Sequence, residues 1–152
     1  RAFGDLKERF PRTLQTQQGA LLAAKVQADK GQADAALSTL AWVADNAGED
    51  ELRSIARLRA AGLLLDQKKF DEALKQLDAA QQGTPREFDA LIADRRGDIL
   101  AAQGNRAEAI AAYQASYKAM DPKTEYRTLV EAKLTSLGAA PAPDAAASGV
   151  AK

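Results

Sequence analysis

Three stretches of the chain are variants of one another and recur at a nearly fixed interval. They are Gly31-Gln-Ala-Asp-Ala-Ala-Leu37, Lys68-Lys-Phe-Asp-Glu-Ala-Leu74 and Gly104-Asn-Arg-Ala-Glu-Ala-Ile110. Their matching alanines, Ala36, Ala73 and Ala109, stand 37 and then 36 residues apart. Self-similarity at this period marks an array in which each repeat buries its apolar face only by stacking on its neighbours. Each stretch lies between two patterns of helical spacing, residues 14–30, 51–67 and 86–103 before it and residues 33–47, 71–82 and 106–119 after it. Each repeat therefore reads as a helical hairpin.

The residues inside the repeats explain how such hairpins close. Ala36, Ala73 and Ala109 let the second helix approach the first, and Leu40, Leu77 and Tyr113, one turn later, fill the space beside them. Twelve residues before those alanines, Ala24, Ala61 and Gly97 offer a second small site on the first helices. Spacings of three and four place such residues on one helix face. The composition agrees: alanine dominates the apolar share, aromatics are only 5%, and good helix formers are abundant.

Boundary chemistry divides the chain further. Thr84-Pro85-Arg86-Glu87 reads as a capping box with proline at the first helical position. Asp121-Pro122 reads as an N-cap and proline for a last helix, and Asn105 with Glu108 as another capping pair. Acids at Glu49, Asp50 and Glu51 suit the positive end of a helix. The last helix, about residues 122–137, carries Tyr126, Leu129, Val130, Leu134 and Leu137 on one side, with Arg127, Glu131, Lys133 and Thr135 on the other. Gly138 stops it. Phe3, Leu6 and Phe10 suggest the end of a leading helix broken at Pro11, so residues 1–13 are expected to precede the repeat unit of residues 14–138. Residues 139–152, rich in alanine, proline, serine and glycine, are expected to be a disordered tail.

Charge and residue usage narrow the function. The 21 basic and 21 acidic residues cancel, which gives no electrostatic footprint for nucleic acid. Histidine and cysteine are both absent, removing the commonest general base and the usual zinc ligands. No cofactor or metal is expected, and the chain is read as non-catalytic. No apolar stretch is long enough to span a bilayer. The chain opens at Arg1 inside a helical pattern and is read as a fragment.

A glycine-led turn followed by a buried alanine and a large residue four positions on, within hairpins of this size, resembles the tetratricopeptide repeat. The string Ala93-Asp-Arg-Arg-Gly-Asp-Ile-Leu100, followed by Gln103-Gly-Asn and later by Lys133-Leu-Thr-Ser-Leu137, resembles the YfgM-like family, ancillary subunits of the bacterial SecYEG translocon. Ile55-Ala-Arg-Leu-Arg-Ala-Ala61, leading into Asp71-Glu-Ala-Leu-Lys-Gln-Leu-Asp78, is similar to that family's middle repeat. The resemblance spans residues 14–137. It implies an inner-membrane protein whose periplasmic repeat domain is this chain, with a membrane anchor upstream of Arg1. It also implies contacts with translocon subunits, periplasmic chaperones and a prolyl-isomerase-like membrane partner.

Several residues invite sharper readings. Asp94 and Asp98 lie one turn apart and form a candidate carboxylate pair, with inter-helix ion pairing as the plainer account. Arg53, Arg57 and Arg59 form a candidate cationic strip, with pairing to the acids before them as the plainer account. Trp42 is a candidate binding anchor or half-buried packing. In a hairpin array the first helices line the concave face. The candidate partner-binding positions there are Gln18, Leu21 and Lys25, then Ile55, Leu58 and Leu65, then Leu91, Asp94 and Asp98. Aliphatics of the middle repeat would give an apolar floor with charged ends, suited to an amphipathic or extended partner segment. The expected fold is all-α: about three tetratricopeptide-like hairpins in a right-handed superhelix with a C-terminal capping helix. The expected function is a periplasmic docking module beside the secretion channel. The alternative is a generic cytoplasmic repeat adaptor that binds a partner peptide.

Overall fold

The repeat interval is a turn interval. In the computed structural model, which describes residues 12–83 and 86–142 together with Gly4, Glu8 and Arg9, the residues opening the three repeats all adopt the left-handed region. Gly31, Lys68 and Gly104 have φ of 73°, 59° and 83°. Each follows a helix: α1 (Leu14–Asp29), α3 (Asp50–Asp66) and α5 (Asp89–Ala102). The same two hydrogen bonds close each helix end. The amides of Gln32, Lys69 and Asn105 donate to the carbonyls of Gln27, Leu64 and Leu100 at 2.8, 2.9 and 2.9 Å. Those of Gly31, Lys68 and Gly104 donate to Ala28, Leu65 and Ala101 at 2.9, 2.8 and 3.0 Å. This is the Schellman closure, which satisfies otherwise orphaned carbonyls and reverses the chain.

The chain then returns as α2 (Ala33–Asn46), α4 (Phe70–Gln81) and α6 (Arg106–Ala119), each packed on the helix before it. Contacts between α2 and α3 and between α4 and α5 stack the hairpins into an array. A last helix, α7 (Glu125–Ser136), closes on α6 and ends in a fourth Schellman turn, with Gly138 at φ 69°. The helices begin and end within three residues of their expected limits, and α6 matches its limits at both ends. A 3₁₀ turn, Arg86–Phe88, precedes α5, so that helix begins later than its pattern.

The paired small and large positions form the core. Ala36, Ala73 and Ala109 are fully buried, as are Leu77, Ala61 and, nearly so, Ala24, Leu40 and Tyr113. Burial divides into three successive clusters, one centred on each hairpin and its neighbour. Polar groups join the elements. Gln17 Nε2 donates to Asn46 O at 3.2 Å, Arg57 Nη1 to Ala79 O at 2.7 Å, and buried Ser116 Oγ to Ala90 O at 2.7 Å.

Some boundary expectations change. Asp121-Pro122 forms a turn ahead of the helix: Asp121 Oδ1 accepts from Lys123 N at 2.8 Å and Thr124 N donates to Asp121 O at 3.0 Å. Aspartate before proline favours that turn, so Thr124 takes the N-cap position instead. Asn105 precedes α6 without a side-chain cap bond. Thr84 and Pro85 of the expected capping box lie outside the described residues. So do Phe3, Leu6, Phe10 and Pro11 of the expected leading helix, and the chain after residue 142. On α7 two side chains exchange faces: Leu129 is 47% exposed, while Lys133 points inward.

Candidate functional site

The first helices of the hairpins converge on one cleft. Side chains from α1, α3 and α5, with Leu40 of α2, enclose about 440 Å³. That volume lies within the range of ligand pockets and accommodates a few side chains. Leu58, Gly62 and Leu65 of α3 run along its length, while Ala24, Lys25 and Ala28 of α1 form one wall. Leu58 and Leu65 each turn one side to the second core cluster, which fixes them, and the other to the cleft. Gly62 adds room, because the position its Cβ would take has no neighbour within 4 Å.

Three of the nine sequence-derived positions, Lys25, Leu58 and Leu65, therefore border the cleft. The others lie elsewhere. Leu21 is buried, and its carbonyl accepts from Arg59 Nη1 at 3.2 Å. Ile55 packs on the first core cluster. Gln18 and Leu91 are exposed, the latter at 40%. Asp94, at 1% exposure, and Asp98 belong to an interior network.

That network corrects the reading of Asp94 and Asp98 as part of the partner-facing surface. Lys133 Nζ reaches between them from α7, 2.7 Å from Asp94 Oδ1 and 2.8 Å from Asp98 Oδ1. Tyr126 OH donates to Asp94 Oδ2 at 2.7 Å, and Tyr113 OH to Asp98 Oδ1 at 2.8 Å. The Lys133 ammonium also stands 5.4 Å from the Tyr113 ring centroid. Burial, and then the bond to Asp94, pushes the Tyr126 phenol up to about 12. Burial, and then the bond to Asp98, pushes Tyr113 well above the ordinary phenol range. Both phenols stay protonated donors at neutral pH, so each carboxylate is held by an ammonium and a hydroxyl. The arrangement ties α7 to α5 and α6.

The arginines diverge instead of forming a strip. Arg53 pairs with Asp50 on its own helix, Arg57 caps a carbonyl of α4, and Arg59 lines the cleft. Trp42 is half-buried against the first core cluster.

The hairpin geometry agrees with sequence comparison. The profile described as a tetratricopeptide repeat-like domain matches residues 1–139.

The chain belongs to the tetratricopeptide repeat-like domain family.

It is similar to the ancillary SecYEG translocon subunit of Neisseria gonorrhoeae (strain ATCC 700825 / FA 1090), 32% identical over 132 residues. The matched stretch covers 87% of this chain and 62% of that protein, so the chain spans less than two thirds of its relative's length. This is the kind of protein that the strings in the middle and third repeats resemble.

Read in the register of the tetratricopeptide repeat-like array, the cleft residues missed from sequence become intelligible. Arg59 and Arg95 occupy the same repeat position, 36 residues apart, and both line the cleft. Leu21, Leu58 and Asp94 also share one position, as do Lys25, Gly62 and Asp98. Helical periodicity alone gives a face. The repeat register picks out which residues of that face recur.

Proposed function

We propose that this tetratricopeptide repeat-like domain is a non-catalytic docking module that holds protein partners in the α1–α3–α5 cleft. It serves as the periplasmic part of a membrane-anchored ancillary translocon subunit and links secretion to periplasmic folding factors. The observation that carries the docking role is the convergence of three successive first helices on one cleft lined by the aliphatics Leu58 and Leu65 and by the charged Lys25, Arg59, Asp66 and Arg95. Such a surface matches an amphipathic or extended segment, with pockets for side chains and charge at the rim. The likeness to an ancillary SecYEG translocon subunit supports the secretion role. No helix among the described residues is long and apolar enough to cross a membrane, so an anchor in this reading lies in another part of the full-length protein.

In-cell photo-crosslinking from Leu58 and Leu65 in the full-length protein tests the reading. Adducts with translocon subunits or periplasmic folding factors are expected. Adducts confined to the protein's own segments, or to cytoplasmic proteins alone, would overturn it.

A further inference from the structure

We propose that the α1–α3–α5 cleft selects a segment presenting an aliphatic anchor flanked by carboxylates, an acidic-apolar peptide rather than a purely hydrophobic one. This rests on the docking reading above and specifies the partner chemistry of the same site.

The argument begins from charge. The chain as a whole is balanced, yet Lys25, Arg59 and Arg95 border the cleft against Asp66 as the acid. The positive excess is therefore local. Each of the three cations is also weakly committed. Lys25 meets Asp29 at 3.7 Å, with both side chains about two-thirds exposed, the kind of pair that contributes little. Arg59 donates to a backbone carbonyl, a neutral acceptor. Arg95 approaches Asp98 Oδ2 at 3.7 Å, while the other oxygen of that carboxylate is already held at 2.8 Å by both Lys133 and Tyr113.

Geometry adds direction. Arg59 and Arg95 project from successive first helices at the same repeat position, so one ligand running across the array passes both. Guanidinium groups bind carboxylates in a two-pronged geometry that neither water nor an amide reproduces. On α3 itself, beside Arg59, Leu58 and Leu65 provide the apolar contact, and Gly62 admits a side chain between the two. A purely apolar occupant would cover these cations without supplying acceptors, which costs desolvation with no return. A segment with one or two aliphatic residues and neighbouring carboxylates satisfies both surfaces.

The test uses two labelled peptides. In the first, two leucines one helical turn apart are flanked by glutamates; in the second, glutamines replace the glutamates. Fluorescence anisotropy is expected to show the glutamate peptide binding roughly tenfold tighter, as two or three rim pairs would supply. Arg59→Gln with Arg95→Gln should abolish that preference, whereas Lys75→Gln, the same kind of charge loss on α4, should preserve it. Leu58→Asp should weaken both peptides. Equal binding of the two peptides, no saturation by the glutamate peptide, or an equal loss from Lys75→Gln would overturn the proposal. So would self-association through the cleft, seen as concentration-dependent mass abolished by Leu58→Asp. Crosslinks from Leu58 that survive the double arginine change would overturn this inference and leave the docking reading standing.

Discussion

The ring of Tyr113 fills the space that a side chain on Gly97 would require. A Cβ built on Gly97 falls 2.5 Å from both Cδ1 and Cε1 of that ring. The equivalent pairs in the earlier hairpins, Ala24 with Leu40 and Ala61 with Leu77, use a larger small residue and a smaller large one. The third hairpin thus exchanges volume between the two helices while keeping the same register.

Gly97→Ala is therefore expected to destabilise the fold by about 1–3 kcal/mol, the usual cost of overpacking. In a Tyr113→Leu background, which restores the alanine–leucine pair of the other hairpins, the same change should cost far less. A double-mutant cycle by urea unfolding checks this, and additive effects would contradict the direct contact.

Lys68 holds the left-handed turn position that glycine occupies in the other two repeats. Its Cβ makes that conformation costly, whereas glycine adopts it freely. Lys68→Gly is expected to raise stability by about 0.5–1 kcal/mol, and Gly104→Ala to lower it by a similar or larger amount. Thermal or urea unfolding of the two variants reads opposite signs.

Lys133→Met leaves Asp94 buried and Asp98 half-buried without their shared ammonium. Removing one partner from such a group is expected to cost about 3 kcal/mol or more. Because the lost contacts join α7 to α5, amide exchange should accelerate first in α7, with the α1–α2 hairpin little affected.

The raised phenol of Tyr126 predicts a pH dependence with a definite sign. A folded-state value of about 12 against an ordinary 10.0 means that the folded form binds the proton more tightly. The stability this contributes is fully present below pH 10 and is lost as pH rises toward 12. Tyr126→Phe should be less stable near neutral pH yet lose less between those limits. Spectrophotometric titration of the tyrosines should show the highest-pH part of the curve diminished in Tyr126→Phe and Tyr113→Phe.

The fold was legible because its turns and its core follow the same interval. Ala36, Ala73 and Ala109 are buried, and the turn residues five positions before each are left-handed, as one repeated hairpin requires. The cleft was legible through Lys25 of α1 and through α3, where Leu58 and Leu65 are aliphatic on a face that the fold leaves partly open. Asp94 could not be placed from its own neighbourhood, since the groups that bury it, Tyr126 and Lys133, lie 32 and 39 residues further along the chain. Local spacing made its charge look solvated. For the same reason Lys133 reads as surface and Leu129 as core, the reverse of what the docked helix adopts.

The inward-pointing Lys133 also bears on how a stack of like units comes to an end. A greasy outer surface accepts almost any neighbour of suitable shape, another hairpin or another molecule alike. The seam under α7 instead sets two carboxylates of α5 and the Tyr113 hydroxyl of α6 to receive an ammonium and a second hydroxyl, which α7 brings as Lys133 and Tyr126. Length is thus encoded as a lock with a single key. A duplicated hairpin inserted before α7 would have to bring its own pair of acids, or leave Lys133 and Tyr126 of the terminal helix facing a seam that cannot answer them.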